Sequence, residues 1–276
     1  MRAVLLAVLI LGLTTPARAK LERQIIGGEQ DHSNAAAGDC DHFYKTTFTS
    51  FPAELRDQEQ REITLHGINL LKVTATGEGG VSVRGWNKPH ARLIVCRTAV
   101  AQTKTHARRV LDSITVTHRA GEIAAQGPAI DATQAWWTNM ILYVPRRAAL
   151  DVRTAHGGVA LRNLSGKVSA AATSGGISVA TSSGQFKIFT DSGGITLDRV
   201  SGRVDANSRE GAIALKVPEQ GVPTIEARAG GGGHIICNIS DNATWDPTRK
   251  LVRIGSGYPD VRLSTTDATI MIDHVR

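Results

Sequence analysis

Aromatic residues are scarce in this chain, with 4 Trp, 3 Tyr and 5 Phe among 276 residues. A core built on large rings is therefore excluded, and the interior has to be thin and filled by aliphatic side chains. Cysteine is scarcer still. Cys40, Cys96 and Cys237 are too few for a disulfide framework, and a chain of this length can bury a core without one. The closest two cysteines stand 56 positions apart, so no cysteine-cluster metal site is encoded. After residue 13 there is no apolar run of the roughly 20 residues that a membrane-spanning helix takes. Neither sign of charge dominates strongly: 32 Lys and Arg stand against 25 Asp and Glu, a formal net charge of +7. With 41% hydrophobic and 21% charged residues, the composition argues against a disordered chain and against a multi-span membrane protein. What is abundant is glycine, 28 residues or about a tenth of the chain against a usual share of about 7%. Such a composition suits many tight turns and thin layers.

The first residues read as an address. Met1-Arg2 is a short positive start, Ala3 to Leu13 an unbroken apolar run, and Ala17-Arg18-Ala19 a small-x-small end. This is the pattern of a secretory signal peptide over residues 1–19, cut before Lys20. The apolar run of 11 residues is too short for a transmembrane anchor. The mature chain is therefore expected to be exported, to the periplasm, the medium or the cell surface, and to carry no transmembrane span. Disulfides persist in those compartments. Cys96 lies opposite Leu93 and Val95 on its strand, and a Cys40–Cys96 bridge is expected to tie the N-terminal segment to the first strands. Cys237 shares one face of a strand-like run with Ile235 and Ile239, so it is expected as a buried free thiol.

A repeat dominates the second half of the chain. Gly157, Gly166, Gly175, Gly184, Gly193, Gly202 and Gly211 follow one another at nine-residue intervals. Two positions after them stand Val159, Val168, Ile177, Phe186, Ile195, Val204 and Ile213, and the residues in between are small or polar. That is period-two alternation broken by turns. The units fall into two alternating classes. Those at Gly157, Gly175 and Gly193 carry a second Gly directly behind, whereas those at Gly166, Gly184 and Gly202 have Ser in front and Lys167, Gln185 or Arg203 behind. The full repeat is thus 18 residues, a coil of two strands of about five residues each and two turns. One coil cannot bury its own apolar side, so coils are expected to stack about 4.8 Å apart. Glycine is expected at the corners because it adopts positive φ.

The fold expected is all-β: a single-chain parallel β-helix, or β-solenoid, over residues 63–276 with rungs of about 18 residues. The run Gly230 to Gly233 marks a corner displaced by an insertion carrying Pro218 and Pro223, and Val261 to Ile272 reads as a further coil. One short helix is expected from Thr103 to Asp112, because Ala107, Val110, Leu111 and Ile114 form one stripe. Residues 20–62 show no period and are expected to be an irregular N-terminal extension or cap.

Several segments carry a family resemblance: Gly80-Val-Ser-Val-Arg-Gly-Trp86, Tyr143-Val-Pro145, and Leu150-Asp-Val-Arg-Thr-Ala-His-Gly-Gly-Val-Ala-Leu161 followed by Leu164-Ser-Gly166. They resemble the bacterial putative-adhesin β-solenoid family, exported domains of unknown function with Thr-x-x-Gly-x-Ile/Val repeats. The resemblance covers about residues 63 to 275. It implies a parallel single-chain β-helix exported by bacteria, an adhesin-like role, and no catalytic residues to carry over. This chain departs from the family's Asn-Gly corner, having His-Gly, Ser-Gly and Glu-Gly instead. Glycine keeps the corner, but any shared surface signature is blurred.

Chemistry is sparse. No Gly-x-Ser-x-Gly elbow and no His-Glu-x-x-His pair occurs, and the nine His are scattered singly. The nine-residue beat invites comparison with calcium-binding nonapeptides, but the corners lack their regular Asp ligands. No catalytic, metal or cofactor residue is therefore assigned, and no cofactor is expected. Lys167, Lys187 and Arg203 form either a basic binding face for acidic glycans or lipid headgroups, or an ordinary solvated face. Trp136 and Trp137 must point to opposite sides of a strand, giving either a cap-packing pair or a carbohydrate platform. Nucleic acid is not an expected partner, since basic and aromatic residues do not interleave. The leading reading is a non-enzymatic exported cell-envelope or surface scaffold, adhesin-like, whose partner is an envelope protein or polysaccharide and whose terminal strands allow self-association. The alternative is a carbohydrate-active enzyme, a polysaccharide lyase or hydrolase on a β-helix, with Asp191, Asp198 and Asp205 as its candidate carboxylates.

Overall fold

Alternation of branched aliphatic with small or polar residues yields strands in every described element but one. The computed structural model describes residues 40, 56–67, 70–77, 79–131, 133–239 and 242–275. Over these residues the protein is all-β, a curled half-barrel sheet of 19 strands with one helix. The segment read as a signal peptide lies outside the described residues, as does most of the extension read at 20–62. The last part of that extension is regular, not irregular: β1 (Arg56–Leu65) is a ten-residue strand. Its polar run Arg56-Asp-Gln-Glu-Gln-Arg-Glu62 has no apolar period to betray it, and its order comes from antiparallel pairing with β4 (Ala91–Ala101).

The glycine-punctuated segment forms β8 (Ala149–Thr154), β9 (Val159–Arg162), β10 (Lys167–Ala172), β11 (Ile177–Thr190), β12 (Ile195–Ser208) and β13 (Ile213–Val217). Their mutual pairings are parallel. Leu150 pairs with Val168, Val168 with Phe186 and Phe186 with Val204, which makes a first row of strands. Val159 pairs with Ile177, Ile177 with Ile195 and Ile195 with Ile213, which makes a second. Each partner lies 18 residues further on. β11 and β12 run through both rows and carry the sheet around its edge. Inward residues of the two rows meet in one narrow aliphatic core, where Leu161, Ile188, Leu197 and Ala206 are sealed from solvent.

Glycine serves the corners differently from expectation. Of the seven glycines in the series, only Gly184 and Gly202 have positive φ. The left-handed positions are held instead by Asn163 (φ 57°), Thr181 (φ 48°) and Arg199 (φ 51°), again 18 residues apart. Gly175, Gly193 and Gly211 are required by close approach. A Cβ on them would lie 2.0, 2.1 and 1.9 Å from the carbonyl oxygens of Gly157, Gly175 and Gly193 in the neighbouring coil. A buried hydroxyl ladder runs beside this stack. Thr190 Oγ1 accepts the Gly193 N–H (3.0 Å) and donates to the Gly175 carbonyl (3.2 Å). Ser208 repeats both bonds with Gly211 and Gly193. The Thr-x-x-Gly spacing is thus the reach of a side-chain hydroxyl to the amide three residues on.

Among the left-handed residues Thr181 is the least suited, because β-branching crowds that conformation. Thr181→Asn, which copies Asn163 of the previous coil, is expected to stabilise the fold by about 1 kcal/mol. A raised denaturation midpoint with an unchanged slope is the measurement that checks it.

Toward the ends, coil order departs from chain order. β2 (Leu70–Ala75) and β3 (Val81–Trp86) lie parallel to β8 and β9, with Leu71 against Leu150 and Val81 against Val159. β6 (Glu122–Gln126) and β7 (Gln134–Pro145) extend the two rows beyond them, and β4 and then β1 continue from β7 antiparallel. β5 (Thr115–Arg119) closes a hairpin on β6. Helix α1 (Lys104–Ser113) starts where Thr103 accepts the His106 N–H, and it buries Ala107, Val110 and Leu111 as the stripe foretells.

At the other end stand β14 (Ile225–Ala229), β15 (His234–Cys237), β16 (Ala243–Asp246), β17 (Leu251–Ile254), β18 (Val261–Thr265) and β19 (Thr269–His274). β18 and β19 stack directly on β12 and β13, with Val261 on Val204 and Ile270 on Ile213. β14 and β15 are displaced one layer outward, on β18 and β19. That outer position leaves Cys237 half-buried, which corrects the expectation of a buried thiol.

Candidate binding surface

Outward side chains of the first row form ladders across the strands. Lys167, Gln185 and Arg203 are in register in one ladder. The next ladder begins Glu122, Lys72, Asp151, Ser169 and Lys187. It continues through Asp205, Arg262, Glu226 and Arg253. Its signs alternate at every step except the neutral Ser169, so neighbours about 4.8 Å apart attract. Lys72 and Glu122 are paired at 2.9 Å, and Arg253 and Glu226 at 2.7 Å. The Glu122 hydrogen bond raises the Lys72 pKa above its ordinary value. Lys187 therefore stands between Ser169 and Asp205, one ladder away from Lys167 and Arg203. Arg203 Nη2 donates to the Tyr258 hydroxyl at 2.8 Å, while the Arg262 guanidinium lies 4.3 Å from that ring's centre. The two cations, Arg262 foremost through its hydrogen bond, lower the Tyr258 pKa.

Trp136 and Trp137 do not belong to any binding face. Both are buried, because β7 is covered on both of its sides. Trp136 packs under α1 with Ala99, Val110, Leu111 and Ile114 and donates its indole N–H to the Pro128 carbonyl at 2.7 Å. Trp137 packs with Val100 and Ala135 on the opposite side. The three candidate carboxylates stand apart. Asp191 sits at a corner beside Arg209 (2.9 Å), Asp198 lies in the second row beside Arg199 (2.9 Å), and Asp205 lies in the first-row ladder. His156 Nδ1 and Ser174 Oγ are 3.0 Å apart across successive corners, both exposed. Among the described residues no group of three His, Cys, Asp or Glu converges on one point.

A cluster that was not legible beforehand lies on the outward side of the second row. There Arg92 on β4, Tyr143 on β7, Arg84 on β3 and Arg162 on β9 are successive in-register partners. The row spans three strand steps, about 14 Å. The Arg92 guanidinium is 5.8 Å from the centre of the Tyr143 ring, and the Trp86 ring is 5.4 Å from it. Trp86 is fixed in place by its indole N–H, donated to the His90 carbonyl at 2.8 Å, and Lys88 Nζ stands 4.9 Å from its ring. Arg92 is paired with Glu62 at 2.6 Å. Arg84 and Arg162 are half-buried, and among the described residues neither makes an ion pair or a side-chain hydrogen bond. The Cys40–Cys96 disulfide closes this same side, packed with Ile94, Ile141 and Tyr143. One signal was present in the sequence: Gly80-Val-Ser-Val-Arg84 and Gly158-Val-Ala-Leu-Arg162 are two copies of one pattern, and the copies stack.

No family model and no curated protein matches the chain. Among solved structures it is similar to a "putative cell adhesion protein" from Clostridium sporogenes, with 9% identity and a TM-score of 0.39 over 79% of this chain and 100% of that one. It is similar also to a "putative adhesin" from Bacteroides fragilis, with 12% identity and a TM-score of 0.33 over 79% and 97% of the two chains. A third is a "putative lipid binding protein" from Parabacteroides distasonis, with 11% identity and a TM-score of 0.28 over 80% and 97%.

Proposed function

We propose that this protein is an exported, non-enzymatic β-solenoid scaffold of 18-residue coils, adhesin-like in role, whose outward faces bind an envelope protein or polysaccharide. The observation that carries the reading is the 18-residue parallel register, which turns scattered surface residues into straight, rigid ladders. A rigid ladder suits the capture of an extended partner. Export is supported by the signal-peptide pattern at residues 1–19, with the periplasm or cell surface as destination. A passive role is supported by the carboxylates: Asp191 and Asp198 each face an arginine, and the two lie on different parts of the coil. A lyase or hydrolase would need two of them at one sugar.

The test is to incubate the purified full chain with acidic and neutral polysaccharides while recording binding and the release of shortened products together. Retention of polymer with no release of product is expected. Steady turnover that disappears in Asp205→Asn would make the enzyme reading the correct one.

A further inference from the structure

We infer that the row Arg162, Arg84, Tyr143 and Arg92, with Trp86 beside it, binds an extended acidic polysaccharide bearing carboxylate or sulfate groups on successive sugars. On the first row, stacked charges alternate in sign, as in Lys187, Asp205, Arg262 and Glu226. Here they do not. Arg84 stacks on Arg162 in register, and neither has a carboxylate partner among the described residues. Two guanidinium-bearing residues on strands about 4.8 Å apart repel unless an anion bridges them. Guanidinium is the group suited to that bridge, since its planar fork donates two parallel N–H bonds to a carboxylate or sulfate.

Geometry decides the size of the ligand. The row is about 14 Å long, so a single small anion cannot touch Arg162 and Arg92 together. A polymer with repeated charges engages several sites at once, and weak contacts then multiply. Half-buried Trp86 adds ring surface for the apolar face of a sugar at the border of the row. The choice of a polysaccharide over nucleic acid rests on the exported-scaffold reading above.

Heparin, alginate, uncharged dextran and duplex DNA are titrated into the full chain by calorimetry at several salt concentrations. Heparin or alginate is expected to bind and dextran not, with an association constant that falls linearly with salt on logarithmic axes. Arg84→Gln with Arg162→Gln is expected to weaken binding at least about tenfold and to flatten the salt slope by roughly two counterions. Arg84→Lys, which keeps the charge and loses the fork, is expected to give a smaller loss. Lys167→Gln with Arg203→Gln, on the other row, is expected to leave affinity and slope unchanged. Because repulsion is relieved, the Arg84/Arg162 double variant should melt no lower than the parent without polymer, which separates a lost site from a lost fold. Failure of both acidic polymers to bind, an unchanged affinity in the double variant, or binding of DNA alone overturns the inference. Cleavage of the polymer would refute the non-enzymatic reading instead and leave the site standing.

Discussion

Replacing Gly193 by alanine is expected to cost at least about 3 kcal/mol of stability, and replacing its neighbour Gly194 by the same residue less than about 1 kcal/mol. The two glycines are adjacent in sequence but face different surroundings. A Cβ on Gly193 would sit 2.1 Å from the Gly175 carbonyl oxygen, and that oxygen also accepts the Thr190 hydroxyl. Relief would require the neighbouring coil to move, and that coil is held in the ladder on both of its sides. A Cβ on Gly194 would stand 3.3 Å from the Ala212 carbonyl, a tight contact that small shifts relieve. Ala212, directly behind Gly211, occupies the equivalent place one coil on and shows that a methyl group fits. Neither glycine has a positive φ, so the difference between them is steric and not torsional. Urea midpoints with a common slope measure it. Equal losses at the two positions would contradict the stacking account of the corner.

Thr190→Val is expected to cost about 2 kcal/mol although it conserves shape. Thr190 is fully buried, and its hydroxyl satisfies both the Gly193 amide and the Gly175 carbonyl. Valine leaves both backbone groups buried without a partner, and the desolvation of each is then uncompensated. Thr190→Ser is expected to retain most of the stability, since Ser208 makes the same two bonds one coil later. Thr173→Val, at an exposed corner position, is expected to change stability by less than about 0.5 kcal/mol. A thermal melt of the three variants separates these outcomes. A loss at Thr173 equal to that at Thr190 would mean that the ladder hydroxyl contributes nothing specific.

Much of the architecture was legible because its causes are local. Val159, Ile177, Ile195 and Ile213 could be assigned to one inward column from spacing alone, and they pair in that order. The stripe of Ala107, Val110 and Leu111 likewise marked α1 to within a residue. Trp136 and Trp137 show where local reasoning stops. Alternation assigns their rings to opposite sides of β7, correctly, but it does not see that α1 covers one side and that the other is covered too. The role given to corner glycine failed for a related reason. Positive φ is a property of one residue, whereas the demand at Gly175 and Gly193 comes from the carbonyl of another coil.

The candidate site was harder to foresee than the fold. Arg84, Arg92, Tyr143 and Arg162 are spread over 79 positions and become neighbours only when β4, β7, β3 and β9 take that spatial order. The alternating ladder from Glu122 to Arg253 has the same origin, since its members come from nine different strands.

By itself, the amino-acid order determined which residues turn inward, where the turns fall and that one coil is 18 residues long, because period and glycine spacing act within a few residues of chain. Tertiary structure alone decided which coil lies on which: β18 and β19 between β12–β13 and β14–β15, and β2 and β3 between β8–β9 and β6–β7. Coils with the same inward pattern are interchangeable as far as local pattern goes. Cross-strand packing over the whole stack breaks that degeneracy, and with it selects which charges meet on the surface.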